Sequence, residues 1–392
     1  MKILMIAPEP FFQPRGTPIS VYFRLKALSD LGHEIDLFTY PLGEDKKIPG
    51  VNIYRAPNIL GFKKIKIGPS LTKIPLDITL FFQTFLTLFR KRYDLIFTHE
   101  EASWIGTFLG KIKKIPHLYD MHSSLPQQLD NFKFSRSRLL KFIFARLEKW
   151  VLRHSQAIIV ICPDLMKIVE KAGQKEKALL LENFLDFEYP LPSANVLQEL
   201  KKKFAPQGEK IVLYTGNFFP YQGIPLLLEA FSLLKKEKVR LLLVGGTPEE
   251  VQSMQPQAKT LGIGTQVSFV GQVPPQEIPR FMAIADALVS PRIAGTNTPL
   301  KIYSFLKSGK PIVATNLWTH TQLLDSDKAI LVDPTPKSLA EGLRLALFDP
   351  KAQQIQLTET GQTLCEPHML LGLSHRWTWA TSVQQRGALP YR

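Results

Sequence analysis

The sequence predicts an α/β protein made of two Rossmann-like, doubly wound domains facing a cleft. Three observations carry that expectation. Short apolar runs alternate with helical patterns along residues 1–350. Six strands separated by helices in the second half call for a parallel sheet. A chain of 392 residues is also too long for one ordinary core.

The elements follow in order. KILMIA (2–7) is an apolar strand, after which Thr17 is a candidate N-cap with Pro18 at the first helical position. Val21, Tyr22, Leu25 and Leu28 recur at helical spacing, and Gly32 ends that helix. EIDLFTY (34–40), YDLIFTH (93–99), IPHLYDMH (115–122), AIIVIC (157–162) and ALLLEN (178–183) read as further strands, with a short helix from Pro163 to Gly173. In the second half, strands are expected at 210–217, 239–246, 266–271, 287–291, 311–315 and 329–333. Helices are expected at 224–236, 248–261, 275–286, 299–308, 319–326 and 336–348. FEYPLPSAN reads as a linker, dividing an N-terminal domain (1–186) from a C-terminal one (187–350). Residues 351–392 form an atypical tail. From 356 onward it lacks Ile, Lys, Asp, Asn and Phe, which abound earlier, and it is expected to be foreign to the fold, with an ordinary disordered terminus as the competing expectation.

The segment 285–315 is the most informative. A strand, Ala287 to Ser290, runs into a Gly/Asn/Thr/Pro loop; a helix then opens at Pro299, ends at Gly309, and leads into another strand. Such a βαβ unit puts a helix N-terminus at the carboxyl edge of the sheet, where α/β proteins bind ligands and where anions are favoured. The ligand is expected to carry phosphate.

Composition bounds the partners. The net charge is +15, and residues 51–153 concentrate it, with 18 Lys/Arg against 7 Asp/Glu. A basic face suits an anionic partner. Nucleic acid is not expected, because no reader motif or aromatic–basic alternation appears. Cys162 and Cys365 show no metal or disulfide spacing, which fits a reducing, cytoplasmic compartment. Two stretches, 61–94 and 131–154, mix lysines and arginines with apolar helix. Leu76 to Phe89 is too short to cross a bilayer and includes Asp77. These stretches are candidates for an anionic membrane surface at its inner face. The competing expectation is that their apolar faces pack on the first sheet and only the lysines meet water.

In the second half, LYTGNFFPYQGIPLLLEAF (213–231), LLLVGG (241–246), VSFVGQVPPQEIPRFMAIADALVSPR (267–292) and SFLKSGKPIVAT (304–315) occur in that order. The first half adds ILMIAPEPFFQPRGTPIS, LYDMHSSLP and LLLEN. In these residues the chain resembles the retaining GT-B glycosyltransferases of family four, the glycosyl transferases group 1, across residues 1–350. The resemblance implies transfer of a sugar from a nucleotide-sugar donor to a glycan or lipid-linked acceptor, as in cell-envelope or polysaccharide biosynthesis. It implies no metal and no cofactor, the nucleotide-sugar being a co-substrate.

The resemblance also implies a site, from which this chain departs. The family's Arg and Lys near the glycine turn fall on Asn217 and Gln222. Its two donor-loop carboxylates fall on Thr296 and Ser304. Arg292, at a strand end, and Lys301, in the first turn of the helix opening at Pro299, are candidates to replace the missing diphosphate contacts, together with the backbone N–H groups of Asn297, Thr298 and Leu300 in the segment that includes Pro299. Gly223 and Gly245 belong to the same donor-binding set. Gly16 and Thr17 are expected in a loop beside the substrates, with Arg15 adding charge on the acceptor side. His122 matches a family histidine near the reacting sugar, and Asp120 lies two residues before it. Glu100 ends a strand as a candidate for acceptor hydroxyls, with plain surface exposure of Glu100 and Glu101 as the competing expectation. A sugar-nucleotide epimerase of the same fold and a catalytically weak nucleotide-sugar binder are the alternatives.

Overall fold

The computed structural model describes residues 1–13, 16–65, 70–131, 137–182 and 192–350. The chain forms two compact units that divide between residues 183 and 184. The tail 351–392 and the linker residues 187–191 lie outside the described residues.

The first unit holds strands β1 (Lys2–Ala7), β2 (Glu34–Thr39), β3 (Val51–Arg55), β4 (Leu95–His99), β5 (His117–Met121), β6 (Ala157–Val160) and β7 (Ala178–Leu180). Their order is β3-β2-β1-β4-β5-β6-β7, and every pairing is parallel. Its helices are α1 (Gly16–Asp30), α2 (Ile74–Arg90), α3 (Ser103–Lys113), α4 (Leu125–Asn131), α5 (Arg138–His154) and α6 (Pro163–Lys171). Ile3, Met5 and Ala7 face one side of the sheet with Val21, Leu25 and Leu28 of α1. Leu4 and Ile6 face the other with Leu80 and Leu88 of α2 and Leu109 of α3. A strand buried on both faces must be apolar throughout, which is why KILMIA reads as it does.

The second unit starts with α7 (Ala194–Phe204) and holds β8 (Lys210–Thr215), α8 (Ile224–Ser232), β9 (Val239–Val244), α9 (Pro248–Thr260), β10 (Val267–Gly271), α10 (Ile278–Ile284), β11 (Ala287–Ser290), α11 (Leu300–Ser308), β12 (Ile312–Thr315), α12 (Trp318–Thr321), β13 (Ile330–Val332) and α13 (Pro336–Phe348). The sheet order is β10-β9-β8-β11-β12-β13, again parallel. Leu197, Leu200 and Phe204 of α7 pack on this unit's core. Local rules fix several ends. Thr247 and Glu250 form a capping box at the start of α9, and Gly309, at φ 65°, closes α11.

Some expectations are corrected. The strand β3 has no counterpart in the sequence reading, because its residues are only half-buried at the sheet edge and show no apolar run. The helix α1 already includes Gly16, so Thr17 and Pro18 lie within its first turn rather than at an N-cap. The helix foreseen at 319–326 is a single turn, Trp318–Thr321.

Both sheets reverse direction once, between β1 and β4 and between β8 and β11. Doubly wound sheets bind ligands beyond the carboxyl ends of the strands at such switch points. The candidate residues sit at those two places.

Candidate active site

At the β8/β11 switch, the turn after β8 carries Gly216 and Asn217, and β11 is followed by Pro291 and Arg292. The helix α11 starts one loop later, with Pro299 at its N-cap position. Lys301 and Arg292 converge here on one neutral amide. Gln222 Oε1 accepts from Lys301 Nζ at 3.4 Å and from Arg292 Nε at 3.5 Å. Gln222 Nε2 donates in turn to Asn217 Oδ1 at 3.3 Å. Lys301 Nζ lies 3.8 Å from the Tyr214 ring centroid, and the Arg292 guanidinium lies 5.3 Å from that of Tyr221. Arg292 Nη1 also donates to Asn297 O at 3.0 Å and to Thr319 Oγ1 at 2.9 Å.

Every direct partner of the two cations among the described residues is an amide, a carbonyl, a hydroxyl or an aromatic face; neither pairs with a carboxylate. Glu250 bonds instead to the backbone N–H groups of Thr247 and Phe218. Burial, and then repulsion from Arg292, hold the Lys301 ammonium well below its ordinary pKa. Burial likewise lowers Arg292, against the nearby tyrosines. Thr298 Oγ1 is buried without a partner, and the first-turn N–H groups of Leu300 and Lys301 have no acceptor within the helix. Lys301 is therefore half-buried against Tyr214, not solvent-facing.

The glycines shape the seat. A Cβ on Gly223, at φ 74°, would fall 2.0 Å from Pro291 O, so the turn before α8 can press against the end of β11 only without a side chain. Gly245 is required in the same way by the backbone of Gly216, which places it behind the turn. Thr296 offers its carbonyl to Gln322 Nε2 at 2.6 Å.

In the first unit, Asp120 of β5 and His122, just beyond its end, come together, and two residues that the sequence reading did not single out join them. Asp120 Oδ2 accepts from Arg24 Nε of α1 at 2.9 Å and lies 3.5 Å from His99 Nδ1 and 3.4 Å from His122 Nε2. The two imidazoles are 3.2 Å apart, and all of Asp120, His99 and His122 is buried. Burial opposes ionisation of Asp120, but Arg24, His122 and His99 outweigh it and hold the carboxyl far below its usual range. Burial also opposes charge on His122, and there Asp120 and Glu100 win, raising its pKa. His99 is pushed down to about 3 by burial, with His122 and Arg24 adding to it against Asp120.

His99, Asp120 and His122 offer metal-ligand atoms within 4.8 Å of one another. Asp120 Oδ2 already takes the Arg24 guanidinium, whereas its Oδ1 is buried with no hydrogen-bond partner.

Glu100 and Glu101 are not surface-exposed. Glu100 accepts from Ser123 Oγ at 2.5 Å, its pKa raised by burial against Ser123 and His122, and Glu101 pairs with Lys73 Nζ at 2.8 Å. Glu100 has φ 49°, a left-handed conformation costly for a residue with a Cβ, at the carboxyl end of β4. Gly16 and Thr17 stand in the first turn of α1, not in a loop, and Arg15 lies outside the described residues.

Two family models cover the chain in succession. "Glycosyltransferase Family 4" matches residues 14–189, and "Glycosyl transferases group 1" matches residues 196–362. The phosphatidyl-myo-inositol mannosyltransferase of Mycobacterium leprae is 30% identical over 83% of this chain and 81% of its own length. The alpha-monoglucosyldiacylglycerol synthase of Streptococcus pneumoniae is 25% identical over 80% of this chain and 71% of its own. Among solved structures, Anabaena HepE in complex with UDP superposes with a TM-score of 0.75 at 18% identity, covering 98% of this chain and 100% of that one. Sucrose-phosphate synthase from Thermosynechococcus elongatus gives 0.77 at 21% identity, covering 97% and 99%. The epimerase alternative finds no support among these relatives. With that likeness over most of its length and two parallel Rossmann-like sheets, the chain belongs to glycosyltransferase family four, and it is a GT-B glycosyltransferase that transfers sugar from a nucleotide-sugar.

Proposed function

We propose that the donor's diphosphate binds against Arg292, Lys301 and the first-turn amides of α11, and that its sugar passes to a glycan or lipid-linked acceptor with retention. The single observation that carries this reading is the pair of cations that meet at Gln222 with no carboxylate partner. A diphosphate supplies the missing negative charge. As the glycosidic bond breaks, charge grows on the phosphate oxygen, and donors already fixed in place stabilise it. Tyr214 and Tyr221 hold the two cations without neutralising them. This cationic seat does the work a metal ion would otherwise do, so transfer needs neither metal nor cofactor. Ser304, where the resemblance places a carboxylate, is left to bond a hydroxyl of the nucleotide. The UDP complex of the structural relative makes UDP-sugars the first donors to try.

In the first unit, His122 is positioned by Asp120 to donate to a hydroxyl of the reacting sugar, and Glu100 accepts from the acceptor. Both named relatives bear lipid names, which supports a lipid-linked acceptor and work at the inner face of a membrane. The test is a panel of nucleotide-sugars, each with and without lipid-linked acceptors, with excess chelator throughout and products read by NMR for anomeric configuration. Acceptor-dependent product with retained configuration in chelator is expected. Binding of donor with no turnover on any acceptor would instead establish a nucleotide-sugar-binding protein, the outcome that Thr296 and Ser304 favour by lacking carboxylates.

A further inference from the structure

We propose that Thr319 is a positioning residue of the donor seat: from the single turn α12 it fixes the Arg292 guanidinium so that one nitrogen, Nη2, is left for the diphosphate. This rests on the donor seat proposed above and adds the group that orients its arginine.

The turn is itself pinned. As the chain leaves β12, Asn316 N donates to Val332 O at 2.6 Å, and His320 N and Thr321 N both donate back to Leu317 O. His320 is wholly buried, with Nδ1 2.8 Å from Thr315 O and Nε2 2.9 Å from Ser290 Oγ. A carbonyl can only accept, so Nδ1 carries the proton and Nε2 accepts from the Ser290 hydroxyl. Burial pushes the His320 pKa down to about 4 against the Thr315 carbonyl, with Arg292 and Lys301 adding to the fall. A neutral imidazole therefore ties α12 to the last residue of β11, two positions before Arg292. Thr315 Oγ1 donates to Arg292 O at 2.6 Å and fixes the main chain at the same place.

Thr319 then reaches the side chain. It is wholly buried, and its Oγ1 lies 2.9 Å from Arg292 Nη1 and 2.6 Å from Asn297 O. A guanidinium only donates and a carbonyl only accepts, so both directions are forced. The hydroxyl accepts from Arg292 and donates to Asn297 O. Arg292 Nη1 donates to that same carbonyl at 3.0 Å, which closes a triangle of bonds. Gln322 donates to Thr296 O at 2.6 Å, so α12 and the residue after it hold the donor loop at two successive carbonyls. Among the described residues, the chain's own bonds to this guanidinium engage Nε and Nη1, which leaves Nη2 to meet an anion. A guanidinium held in this way gives up its rotamer freedom on folding and not on binding, so the ligand loses less affinity to ordering.

The test is UDP calorimetry on the full chain, with Tm followed in parallel. Thr319→Val keeps the shape and removes the hydroxyl, and should bind UDP about tenfold more weakly. Thr319→Ala deletes the same hydroxyl with less bulk, should show the same loss, and decides the matter if Thr319→Val is unstable. Thr319→Ser keeps both bonds and should stay within about twofold of the wild type. In an Arg292→Met background, Thr319→Val should change UDP affinity by less than about twofold, which a merely structural threonine would not do. A tenfold loss repeated in that background, or Thr319→Ser as weak as Thr319→Val, would overturn the role. So would unchanged affinity in the Val and Ala variants while Arg292→Met loses UDP, and in each of these cases the seat itself stands. Undiminished UDP binding by Arg292→Met would overturn the donor seat, and this role with it.

Discussion

At the edge of β5, one carboxylate is ringed by three basic groups; at the β8/β11 switch, two cations share a neutral glutamine. Asp120 accepts from Arg24 and lies within 3.5 Å of both His99 and His122, so charge in the first cluster is met by charge. Arg292 and Lys301 have only amide, carbonyl, hydroxyl and ring partners. The first cluster balances its buried carboxylate from within the chain; the second lacks a carboxylate, and the proposed diphosphate would supply that balance.

The largest effect that can break this comparison is on stability. Arg24→Ala leaves Asp120 as a buried charge with only histidines beside it, and should cost about 3–5 kcal/mol in denaturant unfolding. Arg24→Lys should recover part of it. A loss below about 1 kcal/mol would show that the cluster is not held by this pair. The opposite pattern is expected in the second unit. Lys301→Ala should leave stability level or raised, because it removes a buried cation next to another, yet weaken UDP binding by about 2–3 kcal/mol, some 30- to 150-fold in Kd by calorimetry. Unchanged UDP affinity would dismiss the seat.

A smaller effect sharpens the reading. Gln222→Glu places a carboxylate where Lys301 Nζ and Arg292 Nε already point. It should raise stability by about 1–2 kcal/mol through charge-assisted bonds and compete with the diphosphate. If the variant binds UDP as tightly as the wild type, the two cations are not the anion's partners.

Much of the fold was legible, for reasons that particular residues make plain. β1, β4, β8 and β9 are almost wholly buried and each carries an apolar run of three residues or more. β3 lies at the sheet edge, half-buried, and shows none. In the site, Arg292 and Lys301 were legible because a strand end and a helix start place them at the sheet's carboxyl edge whatever the packing. Arg24 was not, since it meets Asp120 across 96 positions of sequence, and His99 gave no signal beyond closing a strand. The tyrosine rings beneath the two cations were equally hidden, because each reads as an ordinary apolar residue. The outer face of α2 was ambiguous for a different reason. A helix apolar all round carries no periodic sign of which side is buried.

The smallest expected effect is in pH, and its sign differs between the two clusters. The native pKa of His122 is raised, so its stabilising pair with Asp120 is fully present below 6.5, the unfolded value, and is lost as pH rises through the higher native one. His99 is neutral down to about 3, so the unfolded chain takes up its proton first and stability falls as pH drops below 6.5. The first cluster should therefore contribute most near pH 6.5. Lys301 is depressed, so the unfolded chain binds its proton more tightly and the penalty shrinks as pH rises toward 10.5. Tm can be followed from pH 6 to 10 for the wild type, His122→Gln and Lys301→Met. The deficit of His122→Gln should narrow as pH rises above 6.5, and any advantage of Lys301→Met should narrow toward pH 10. Parallel curves for Lys301→Met would mean that the lysine is already paired in the free protein, and the contrast between a balanced and an unbalanced cluster would be lost.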